Sequence, residues 1–61
     1  MLNRYDIIMI DLRDMKEKVA TDALAETPFQ AMEIAQLLAD LLGIPAEIRS
    51  AELVEENVLH E

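Results

Sequence analysis

Residues 26–45 read ETPFQAMEIAQLLADLLGIP, one helix with both ends marked. Thr27 is a good N-cap, and Gln30 three residues later completes the capping pattern T-x-x-Q. Pro28 falls at the first helical position, where its missing N–H costs nothing. Gly43 stands where a left-handed residue ends a helix, and Pro45 forbids continuation. The spacing predicts a helix over 28–42.

Taken at about 100° per residue, Ala31, Met32, Ile34, Ala35, Leu38, Ala39, Leu41 and Leu42 form an apolar arc of about half the circumference. Leu38 lies near its centre. Glu33, Gln36 and Asp40 make the polar side, and Phe29 and Leu37 lie outside the arc as rim or partner contacts. An arc this broad predicts a lid over a small sheet. Ala31 and Ala35 are small enough to let the helix approach closely.

Upstream, YDIIMID at residues 5–11 is rich in residues that favour a strand. Tyr5, Ile7 and Met9 share one face and Ile8, Ile10 and Leu12 the other. Two apolar faces predict a central strand. Residues 13–26 read as a hairpin tip followed by a strand over 19–25. A helix remains open there, because Leu12, Met15, Val19 and Ala23 also fit one helical stripe. IPAEIRS, residues 44–50, reads as a further strand. The tail AELVEENVLHE is expected to form a short acidic helix with Ala51, Val54 and Val58 inward, continuation of the strand being the alternative. The fold class is therefore α+β, β-β-α-β: a small antiparallel sheet with one covering helix, in a single domain spanning 1–61.

Sixty-one residues make a marginal core. There is no Cys and only one His, His60, so neither disulfides nor a multi-histidine zinc site can brace it. A partner chain is the remaining brace. Hydrophobic residues are 52% of the chain and charged residues 30%, which is too apolar for a disordered acidic tail. No apolar run is long enough to cross a membrane, and MLNRYD does not begin a signal peptide. A cytoplasmic protein, complete from Met1, is expected.

The net charge is −8 and lies in one part of the chain. Residues 1–18 hold four acids and four bases; residues 19–61 hold nine acids and Arg49 alone. Direct nucleic-acid binding needs the opposite sign. A basic protein surface is the expected partner, met by Glu33, Asp40, Glu47, Glu52, Glu55 and Glu56. The stripe Tyr5, Ile7 and Met9, with Leu37, is expected to form an apolar or homodimer interface.

Parts for catalysis are scarce. Ser50, Thr21, Thr27 and His60 are the candidates for a hydrolytic site, and Thr27 is committed to capping. Gly43 is the only glycine, so there is no glycine-rich phosphate loop. Glu52, Glu56 and His60 are spaced i, i+4, i+8, which a metal could use on a helix, but a solvated acidic face accounts for them better. No enzyme activity, metal or cofactor is expected. The sequence reads as a small acidic binding protein. Its most concrete form is an inhibitor, of the kind phages and mobile elements encode, that imitates nucleic acid before a basic partner. The alternative is a homodimeric adaptor or regulatory subunit whose acidity serves only solubility.

Overall fold

A computed structural model describes residues 1–58. The elements run β1 (Asn3–Asp11), β2 (Lys16–Ala25), α1 (Pro28–Leu42) and β3 (Ala46–Glu55). The sheet order is β2-β1-β3, with β1 antiparallel to both neighbours. β2 and β3 therefore run in the same direction, and strands so related need a long crossover. That crossover is α1, laid across one face of the sheet.

The helix ends as its sequence dictates. Thr27 is extended, and its Oγ1 accepts the N–H of Gln30 at 3.0 Å. Gln30 reaches back to accept the N–H of Glu26 at 2.6 Å. Gly43 takes φ 71°, which a residue with a Cβ adopts at a cost. The N–H of Gly43 then donates to Asp40 O and that of Ile44 to Ala39 O, closing a Schellman cap.

Residues 13–26 form a hairpin, so the strand reading holds over the helical one. Leu12 to Met15 make the turn, with the Met15 N–H on the Asp11 carbonyl at 2.7 Å and Met15 at φ 58°. The tail corrects the expected acidic helix. Residues 51–55 continue β3, so that it pairs with β1 up to Arg4↔Glu55. The helical spacing of Ala51, Val54 and Val58 misled because β3 shifts register twice along β1, between Arg4 and Tyr5 and between Ile8 and Met9. Each bulge breaks the two-residue alternation by which a strand is recognised. His60, with the proposed Glu52–Glu56–His60 trio, lies outside the described residues.

The core corrects two further expectations. Tyr5 and Ile7 are 3% and 0% exposed and pack with Ala25 and Ala31 under the helix. They are the core face of β1, not a stripe left free for a partner. Met9 is half-buried beside them. The helix meets this face with Ala31, Ala35 and Ala39, whereas Leu38 is 53% exposed. A ring and a branched side chain already stand up from β1, so only small residues fit between sheet and helix axis.

Candidate functional site

Residues paired across a sheet share a face, so the pairing places every side chain on the side away from α1. Arg4, Asp6, Ile8 and Ile10 of β1 point there. Beside them stand Leu24, Val19 and Glu17 of β2, and Glu55, Glu52, Ser50 and Glu47 of β3. Asp22, at φ 63° in the β2 irregularity, reaches Arg4 at 3.3 Å. Arg4 also holds Glu55 at 2.8 Å, so one guanidinium ties the outer strands across β1. Arg49 pairs with Glu47 at 2.9 Å.

This uncovered face thus gathers six carboxylates, Asp6, Glu17, Asp22, Glu47, Glu52 and Glu55, against Arg4 and Arg49. Ile8, Ile10 and Val19 run through its middle. Acids framing an apolar strip form a surface that can hold a basic partner by charge and by contact.

Arg13 and Lys18 are held at the hairpin turn instead. Asp11, 3% exposed, receives Arg13 Nε and Nη2 at 3.0 and 2.8 Å, the Arg13 N–H at 2.9 Å and Lys18 Nζ at 2.8 Å. Hydrogen bonds from Arg13 and then Lys18 hold its carboxyl far below the usual carboxylate range. Lys18 also bridges Asp14 at 3.1 Å, and that carboxyl is lowered too, chiefly by the lysine. Asp11, Arg13, Asp14 and Lys18, half of the charged residues in 1–18, are therefore joined in a local clasp at the hairpin turn.

Of the acids singled out from sequence, Glu47, Glu52 and Glu55 come together on the sheet face. Glu33 and Asp40 lie exposed on the helix in the other layer, and Glu56 is exposed just past β3. Leu37 is 58% exposed on the helix. Asp6, Glu17 and Asp22 were not singled out: the first two belong to the balanced N-terminal third, and Asp22 joins the face through its contact with Arg4 at the β2 irregularity. Strand alternation was the signal for Asp6, which sits between the inward Tyr5 and Ile7.

Among the described residues no three acidic or histidine side chains group closely enough to hold a metal ion. No helix among them is long and apolar enough to cross a membrane. Thr27 Oγ1 is engaged in the cap, and Ser50 sits opposite Ile8 in the sheet. No family model, curated protein or solved structure matches this chain.

Proposed function

We propose that this chain is a non-catalytic binding protein whose uncovered sheet face docks a basic, nucleic-acid-handling partner and competes with nucleic acid for it. The observation that carries this reading is the six-carboxylate face of β1, β2 and β3. A strand scaffold fixes those carboxylates, so they meet lysine and arginine without first being ordered. The adjoining isoleucines add contact that bare charge lacks. The chain acts in the cytoplasm, by occupying the partner rather than by reacting with it.

The test is a partner captured on the immobilised chain and then purified. Its association is measured at low and high salt and in competition with duplex nucleic acid. Glu47→Lys with Glu52→Lys should slow association, while Glu33→Lys with Asp40→Lys on the helix should leave it nearly unchanged. The reading fails if affinity ignores salt, or if partner, chain and nucleic acid form one ternary complex.

A further inference from the structure

α1 carries more apolar surface than the sheet covers. Leu38, Leu41 and Leu42 are 53%, 81% and 71% exposed, and Ile34 is 38% exposed. Between this flank and β2 runs an apolar groove of about 500 Å³, with Met9, Ala20 and Ala23 along the sheet side and Ile34 and Leu38 along the helix. We infer that a second copy of this chain fills the groove, α1 lying beside α1 about a two-fold axis.

The exposed leucines and the alanines lie on one surface: Leu38 and Leu42 form one wall of the groove, and Ala20, Ala23, Ala35 and Ala39 line it. A two-fold rotation next to them sets each leucine wall into the other copy's groove, as an isologous interface requires. The charge map selects the same occupant. Among the described residues the only charged one lining the groove is Asp22, and its carboxylate reaches Arg4. The concentrated acids lie on the far face of the sheet, so paired helix flanks carry the two acidic faces away from each other. A basic partner finds in this groove only one carboxylate, already paired with Arg4, and an acidic copy meets little repulsion there. Glu33 and Asp40 stay at the rim, beyond Leu37 on the helix.

Strand addition at the adjoining edge is disfavoured. β2 carries Lys16 and Lys18 and is distorted at Asp22, features that blunt an edge strand. The copy therefore approaches through the helix flank. A chain without cysteine, of a size that buries only about 60% of its surface alone, completes its core in this way.

The test uses the absence of native cysteine. Leu41→Cys and Glu52→Cys are each spin-labelled, and the distance from each label to its copy is measured beside sedimentation of the parent. A dimer is expected, with the labels at 41 close together and those at 52 far apart. Leu41→Glu should weaken the dimer about tenfold or more. Leu41 is 81% exposed, so the single chain should keep its fold, which circular dichroism checks. Sedimentation as one chain at the highest soluble concentration overturns the inference. So does a dimer whose labels at 52 are the closer pair, or one that Leu41→Glu leaves unchanged. A monomer that takes a basic amphipathic peptide in the groove overturns it too, and assigns the groove to another occupant. Glu52→Lys should leave dimerisation unchanged, so failure here is separable from failure of the acidic-face reading.

Discussion

Ala31, Ala35 and Ala39 line the side of α1 that rests on the sheet, while Ile34, Leu38, Leu41 and Leu42 line the side that looks out past β2. The two flanks have similar polarity and opposite burial. The difference teaches what sets a helix on a small sheet. Close approach is decided by size, so alanine wins the contact although leucine would gain more from burial. The sheet then supplies the bulk, through Tyr5 and Ile7. The leucines are left as surface, each worth about 1.5–3 kcal/mol if something buried it.

The largest effect should come from the buried side of this comparison. Ile7 is fully enclosed, and Ile7→Ala should cost about 2–5 kcal/mol in a denaturant melt. In a domain this small that change can unfold the chain. A cost no larger than that of an exposed leucine would mean that the core lies elsewhere.

Enlarging the alanine side should do less but act in the same place. Ala31 is 1% exposed against Tyr5 and Ile7, and Ala31→Leu should cost about 1–3 kcal/mol by overpacking. If thermal melts show the variant as stable as the parent, the helix can lift, and size does not set its seat. Thr27→Ala keeps both flanks and loosens only the helix start. Losing the Oγ1 acceptor for Gln30 N–H should cost about 1 kcal/mol in the same melts.

Asp11, the one buried carboxylate among the described residues, gives a pH dependence. Arg13 and Lys18 hold Asp11 below its ordinary value, so the folded state resists protonation. An unfolded aspartate titrates at about 3.9. The clasp therefore contributes fully above about pH 4, and its contribution falls as the pH drops below that toward the depressed native value. Melting temperature should fall in acid for the parent and less steeply for Asp11→Asn. Parallel curves would show that the clasp adds nothing.

Much of this was legible in the sequence. Both ends of α1 were, because capping depends on residues within a few positions of each other. The β-β-α-β order was, because each element is short and bounded. The seat of the helix was not. Apolar periodicity put Leu38 at the centre of an arc, but it does not say which third of a broad arc meets the sheet. Bulges hid the length of β3 for a similar reason, since a slipped alternation imitates a helical spacing. The acidic site was half visible. Net charge pointed to Glu47, Glu52 and Glu55, while Asp6 and Glu17 disappeared into the net-zero sum of residues 1–18.

The smallest effect should fall on the leucine side, and its dependence on concentration decides what that side is for. In a single chain Leu38 is half exposed, so Leu38→Ala should change stability by about 0.5 kcal/mol or less. A second copy that binds only the folded chain adds stability in proportion to the logarithm of its concentration. The penalty of Leu38→Ala should then grow as the protein is concentrated, because the variant forfeits part of that linkage. Ile7→Ala removes contacts within one chain, and its penalty should stay constant over the same range. Melts of the parent and both variants across a concentration series separate the two flanks. If Leu38→Ala costs as much as Ile7→Ala in dilute solution, the leucine belongs to the core. If its cost is small and does not change with concentration, the leucine flank meets no second copy.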